Sequence, residues 1–297
     1  MTWLIIIAFA YLLNAVATTT DKFLLSKKIS NPAIYAFFIG ALSVLGVIIA
    51  PFGFKLGYPL WLVLLDLVSG LIFAFAYLYM FKALSKNEAS RITPFMGGWQ
   101  PIFVLILASV FLDERLSILG LLAFLVILAG TWLISRQKTT AKTRAGYFLA
   151  IIATLLFAIS YTLSKYLFTS QDFITVFVWA RIGTFLGALL FLLPGRNRRD
   201  IKKEVTQPQK KAGSLFIFGQ VCGALSFILV NYVISISSSV AIVNALRGLE
   251  YVFLLIIILA LSKKFPKILE EKMTPKILTQ KIIAIVLIIT GLVLIYL

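Results

Sequence analysis

Long apolar runs alternate with short polar ones from end to end of the chain. A helix that crosses a bilayer needs about 20 mainly apolar residues. Ten stretches meet that length: 2–20, 32–54, 60–81, 91–112, 116–135, 146–167, 173–193, 213–234, 239–261 and 279–297. Lipid offers backbone N–H and C=O groups no partners, so all ten are predicted to be α-helices. Most connections are short, which predicts a helical bundle. The two longest polar stretches, "GRNRRDIKKEVTQPQKKAG" and "SKKFPKILEEKMTPK", read as solvated basic loops. The N-terminal "MTWLIIIAFAYLLNAVA" has no basic leader and reads as a first span, not as a cleaved signal.

The pattern also repeats. "AYLLNAVATTTDKFLL" (10–25) aligns with "ATLLFAISYTLSKYLF" (153–168) at an offset of 143, with seven of sixteen positions identical and Lys22 falling on Lys165. The same offset carries Gly40 onto Gly183 and Pro51 onto Pro194. Farther on, "GWQPIFVLI" (98–106) matches "GLEYVFLLI" (248–256), and Gly130 matches Gly291. The expected organisation is therefore two five-helix repeats, 1–145 and 146–297. An odd number of spans inverts the second repeat relative to the first. Charge supports this independently, since 23 of the 28 Lys and Arg residues lie at odd-numbered connections. Positive charge marks the cytoplasmic side, so both termini are expected on the non-cytoplasmic side. The fold class predicted is all-α integral membrane, ten transmembrane helices in two inverted five-helix repeats. Inverted repeats with a polar site near the bilayer midplane are the architecture of secondary transporters working by alternating access.

Composition narrows the class. Hydrophobic residues make up 61% of the chain and charged residues 13%, whereas a soluble domain carries about a quarter charged residues. The formal charge of +17 sits between apolar runs, so it is read as topology and contact with anionic lipid head groups, with no nucleic-acid partner. Histidine is absent from the sequence and Cys222 is the single cysteine. No metal-ligand cluster, no nucleophile with a base and no ATP-binding phosphate loop is recognisable, so no catalytic residue, metal or cofactor is assigned.

Charges inside apolar runs need a reason. Arg247 and Glu250 interrupt the run 240–261 and, three apart, would share a helix face. They are either a structural ion pair or a substrate site, with Glu250 also a proton-coupling candidate. The repeat puts Gln100 at the position equivalent to Glu250. Arg181 lies about 12 Å into its span, where it either lines a cavity or snorkels. Asp66, in the third span, either pairs with a basic residue of a neighbouring helix or lines an outer vestibule, and is a second proton-coupling candidate. Lys22 and Lys165 end equivalent helices and are either snorkelling lysines or a pair of gates. Asn14, Thr18, Asn231 and Asn244 are interior polar positions, candidates for substrate contact or for helix–helix hydrogen bonds. Trp99 and Trp179 could stack on a substrate or simply pack.

The segment "ITPFMGGWQPIFVLILASVFLDERLSILGLLAFLVILAGTWLI" (92–134) resembles the end of an EamA repeat: a helix with a mid-span proline (Pro101), a short acidic turn (Asp113-Glu114), and a last helix with a late glycine (Gly130). Lys22, Lys165 and Arg181 are similar to basic positions of that family. The chain thus resembles the ten-helix EamA-type members of the drug/metabolite transporter superfamily. In the second repeat Tyr251 replaces the proline and "SKKFPKILEEKMTPK" replaces the acidic turn. The resemblance implies export or exchange of small metabolites.

The function expected is secondary transport of small polar metabolites such as amino acids. The alternatives are organic anions or phosphorylated metabolites, or flipping of lipid head groups. Substrate contacts would come from Arg247, Glu250, Gln100, Arg181, Asn244, Trp99, Asn14 and Asn231. The partners are a small-molecule substrate and membrane lipids. A monomer suffices and a dimer is compatible. The location read from these features is a prokaryotic inner (plasma) membrane. A fluorescent reporter that matures only in the cytoplasm, fused after Leu297, is expected to stay dark; bright cells would reverse the assigned orientation.

Overall fold

The computed structural model describes residues 2–24, 31–87, 89–135, 144–206, 214–262 and 275–296. All regular structure among them is helical: α1 (Thr2–Leu24), α2 (Pro32–Leu42), α3 (Leu60–Lys86), α4 (Ala89–Phe111), α5 (Ile118–Ser135), α6 (Arg144–Ser170), α7 (Phe173–Leu190), α8 (Gly195–Thr206), α9 (Ser214–Ile236), α10 (Val240–Ala245), α11 (Gly248–Ser262) and α12 (Pro275–Tyr296). A 3-10 segment, Ser43–Phe52, continues α2. Seven helical stretches are long and apolar enough to cross a membrane, and Phe95–Phe111, Ile118–Leu133 and Thr279–Leu294 are shorter apolar helices. The described residues are all-helical in their regular structure, and the apolar helices mark an integral membrane protein.

Three predicted elements differ, the ninth span among them. The second span is not α-helical throughout: Asn31 caps α2 by accepting from Ala33 N at 3.0 Å, Pro32 occupies the first turn, and the helix tightens to 3-10 geometry from Ser43 to Phe52. The polar stretch after Leu193 is not a plain loop, because residues 195–206 form α8. Ile201 is buried, while Lys202 and Lys203 are exposed, which gives α8 a seated face and a basic one. Asn31 Nδ2 donates to Asp200 Oδ2 at 2.7 Å and ties the start of α2 to α8. The other predicted basic loop lies largely at 263–274, outside the described residues.

The chain forms two compact units, and each draws on both halves of the sequence. The first contains 1–28, 115–138 and 210–297; the second contains 29–114 and 139–209. In the first, α1 packs along α9 and against α11, and α5 packs along α12. Gly130 and Gly291 serve the α5–α12 contact, where an added Cβ would press on Ile288 and Ile127 respectively.

In the second unit α3 lies between α6 and α7, α4 packs on α6, and α2 leans on α3 and α7. The α3–α7 contact is backbone against backbone. A Cβ on Gly70 would overlap the Ala180 carbonyl oxygen, and one on Gly183 would overlap the Leu67 carbonyl oxygen. Small residues permit such approach in membranes, where helix association depends on close packing. Around it Phe73, Tyr77, Phe157 and Tyr161 meet edge to face, with centroids 5.0 to 5.9 Å apart, arrangements that aromatic quadrupoles favour.

Gly183→Leu is expected to destabilise the purified protein by about 1–3 kcal/mol or more, the cost typical of overpacking. Gly57→Ala, where nothing lies within 4 Å, is the control. Thermal unfolding in detergent compares them; equal melting temperatures would sink the close-contact argument.

Candidate functional site

In the first unit the predicted ninth span is interrupted. The residues from Val240 to Ser262 form two helices, α10 and α11, joined through Leu246 and Arg247. Ser239 caps α10 by accepting from Ile242 N at 3.0 Å. At the junction the backbone pairs three residues apart: Arg247 N donates to Asn244 O, Leu249 N to Leu246 O and Glu250 N to Arg247 O, at 2.9 to 3.2 Å. A 3-10 turn in mid-helix often marks a hinge. Gly248 fits this turn against α5, where a Cβ would overlap the Thr131 hydroxyl. Arg247 and Glu250 are therefore not two positions on one uniform helix. Arg247 occupies the turn, and Glu250 the first turn of α11, where the helix dipole favours an anion.

Arg247 Nε donates to Glu250 Oε2 at 3.3 Å, and Thr18 Oγ1 on α1 donates to Glu250 Oε1 at 3.1 Å. Both oxygens of the carboxylate are thus engaged. Glu250 is 7% exposed in its side chain and Arg247 35%. Tyr11 Oη on α1 donates to the Val243 carbonyl at 2.9 Å, which fixes α1 to α10 beside the turn. Asn244 Nδ2 donates to Val240 O at 3.0 Å, and Asn231 Nδ2 to Phe227 O at 2.9 Å, each within its own helix. Asn14 is half-buried on α1. Lys22 falls among residues whose side chains lie outside the description.

The second unit holds the other candidates. Arg181 does not snorkel: it is 8% exposed, with Cζ 5.1 Å from the Phe73 ring centroid and 5.4 Å from that of Phe177. Such cation–π contacts favour a guanidinium in a place with little water. Gly46 makes room for its methylene stem, and Ser43 Oγ donates to the Arg181 carbonyl at 3.0 Å. Asp66 is fully buried and accepts from Gln171 Nε2 at 3.1 Å, an amide and not the basic residue that the sequence allowed. One turn along α3, Ser69 joins Ser160 and Ser164 of α6 within 3.0 to 3.2 Å. Gln100 is buried on α4. Trp99 is exposed and packs beside Phe95 and Phe103. Trp179 packs beside Phe54, with ring centroids 5.6 Å apart. Lys165 is half-buried near the end of α6, in electrostatic reach of Glu114.

The structure thus brings Arg247 and Glu250 together, and adds Thr18 and Tyr11. Asn231 is bonded within its own helix and not to that cluster, and Gln100, Trp99, Arg181, Asp66 and Lys165 belong to the other unit. Tyr11, Gln171 and the three serines were not singled out from sequence. Gly248 directly after Arg247 was the one local sign of the turn.

The sequence matches the sugar transport protein family over residues 28–297. A Lactobacillus helveticus protein described as "Putative sugar uptake protein" is 25% identical over 148 residues, 48% of this chain and 52% of that protein. "Uncharacterized transporter YxxF" of Bacillus subtilis (strain 168) is 26% identical over 128 residues, 42% of this chain and 41% of that protein. The chain spans about half the length of the curated relatives it matches. One solved crystal structure superposes with a TM-score of 0.69 over 99% of this chain and 96% of that one at 17% identity, which shows a shared fold. The family and these relatives are transporters, not enzymes.

Glu250→Ala leaves the cation of Arg247 without its carboxylate. With Arg247 partly exposed, the expected loss of stability is about 1–3 kcal/mol, below that for a fully buried pair. Removing Arg247 as well is expected to recover part of it. A double variant that melts as low as Glu250→Ala would mean that the two side chains are not energetically coupled.

Proposed function

Because the chain belongs to the sugar transport protein family, we propose that it is a secondary transporter of small neutral sugars. The observation that carries this reading is the closed charge balance at the α10–α11 turn. Arg247 and Glu250 answer each other at 3.3 Å and Thr18 holds the second carboxylate oxygen. Such a group presents polar atoms without net charge. Sugar hydroxyls donate and accept, so they suit a paired cation and anion, whereas a net anion would meet Glu250 and a net cation would meet Arg247. This favours neutral ligands over the organic anions and charged head groups considered from sequence, and the family favours sugars over zwitterionic amino acids. The name of the Lactobacillus relative supports uptake over export.

The proposed mechanism is alternating access by two inverted five-helix repeats, as the EamA-type resemblance implies. Helix pairing supports it. α1 packs on α9 and α11 in one compact unit, and α6 packs on α3 and α4 in the other. Under the repeat α1 corresponds to α6, α9 to α3, and α10–α11 to α4, so the same pairings occur in both units. Interrupted helices at the substrate are a feature of inverted-repeat transporters, and the tight turn at Leu246–Arg247 is this chain's instance. Arg247, Glu250, Thr18 and Asn244 are the proposed contacts in the first unit. Gln100 and Trp99 are equivalent by the repeat to Glu250 and Leu249. Lys22 and Lys165 are the proposed gates.

The test is counterflow in proteoliposomes with labelled glucose, ribose, alanine and glucose 6-phosphate, alongside thermal shift. A sugar at about 100 times its dissociation constant is expected to stabilise the protein by about 2.7 kcal/mol, and Arg247→Ala to abolish the shift. Counterflow of alanine or glucose 6-phosphate with none of either sugar would overturn the reading.

A further inference from the structure

The carboxyl group of Asp66 sits in a place unlike that of Glu250. It is fully buried on α3, and its Oδ2 accepts from Gln171 Nε2 at 3.1 Å. Two buried oxygens of this pair, Asp66 Oδ1 and Gln171 Oε1, have no hydrogen-bond partner among the described residues. Both are acceptors in the ionised form, so neither can satisfy the other. Burying an ionised carboxylate without a cation is unfavourable, and each unmet acceptor adds to the cost.

One proton resolves all three costs. Placed on Asp66 Oδ1, it removes the charge, turns that oxygen into a donor, and gives Gln171 Oε1 something to accept. An acid and an amide are complementary as a cyclic pair: Gln171 Nε2–H already donates to Asp66 Oδ2, and the acid proton would be offered to Gln171 Oε1. Two oxygens do not make a coordination shell for a metal cation, so a proton is the occupant that fits.

The charged and titratable groups on the elements around α3 have other partners. Arg181 of α7 lies against Phe73 and Phe177. Lys165 of α6 faces Glu114, and Tyr161 meets the Phe73 ring. Lys55 and Tyr58, before α3, both reach Asp172, at 3.9 and 3.1 Å. The Tyr35 ring of α2 lies tilted against Phe81, centroids 5.7 Å apart. Lys82 and Lys86 stand at the opposite end of α3 from Asp66. Gln171 and Asp172 are adjacent in the α6–α7 connection, which the charge bias assigns to the non-cytoplasmic face.

We infer that Asp66 and Gln171 form a proton-binding site whose loading and release couple transport to a proton gradient. This rests on the chain being a transporter but not on its substrate being a sugar. Loading is the reaction of the Asp66 carboxylate with one proton to give the acid; release is the reverse, and no other bond changes. Glu250 is not the coupling carboxylate in this scheme, because Arg247 and Thr18 occupy both its oxygens.

The test is infrared difference spectroscopy of the purified protein between acidic and alkaline buffer. A carboxylic-acid C=O band is expected in the native chain. It should be lost in Asp66→Asn and moved to higher frequency in Gln171→Leu, where the acid loses its amide partner. Asn at 66 can form the same cyclic pair with Gln171, so that variant should fold. Should it not, the Gln171→Leu spectrum decides alone. A band that survives in Asp66→Asn, or that ignores Gln171→Leu, overturns the inference. The second arm is glucose transport in proteoliposomes, where Asp66→Asn should lose pH-gradient-driven accumulation and retain counterflow. Accumulation equal to the native chain's also overturns the proposal. An infrared result as expected, with no glucose counterflow in the native chain, sinks the sugar reading alone.

Discussion

Where water is scarce, a charge must be answered by its neighbours, and most of the functional architecture of this chain follows from that constraint. Four interior charged groups receive three answers. Arg247 and Glu250 answer each other, with Thr18 closing the remaining carboxylate oxygen. Arg181 is answered by the faces of two phenyl rings. Asp66 has an amide, which satisfies one of its oxygens and not the other. The Arg247–Glu250 arrangement is closed as it stands. The third is complete only when a proton is added, and that difference separates a group that holds charge from one that exchanges it.

Much of the fold is legible in the chain because membrane helices need long apolar runs, and those runs are hard to mistake. The pairing of Arg247 with Glu250 is legible for a similar reason, since two opposite charges three residues apart in an apolar run have few other options. The turn that splits their helix is less so. Gly248 alone marks it, and its reason, the Thr131 hydroxyl against it, lies far away in sequence. The partners of Asp66 and Arg181 could not be read at all. Gln171 is 105 residues from Asp66, and Phe73 reaches Arg181 through the α3–α7 contact. Ile201, apolar among many cations, has a buried seat that anchors the helix at 195–206.

The repeats expected from the sequence are contiguous, but the compact units are not. α1 packs on α9, and α6 on α3, each across the expected boundary near residue 145. Helix exchange of this kind makes each unit depend on residues distant along the chain. Glycine pairs such as Gly70 with Gly183 hold the α3–α7 contact in the second unit at backbone distance. That unit's order therefore comes from shape as much as from polar bonds.

The tightened stretch at residues 246–250 also has a mechanical side. A 3-10 residue advances about 2.0 Å and about 120°, against about 1.5 Å and about 100° for an α residue. Relaxing three such residues to α geometry would turn everything beyond them by about 60° and draw it back by about 1.5 Å. The junction behaves as a short screw thread. A small change of pitch there would re-aim the Glu250 side chain while α10, pinned through Tyr11, stays in place.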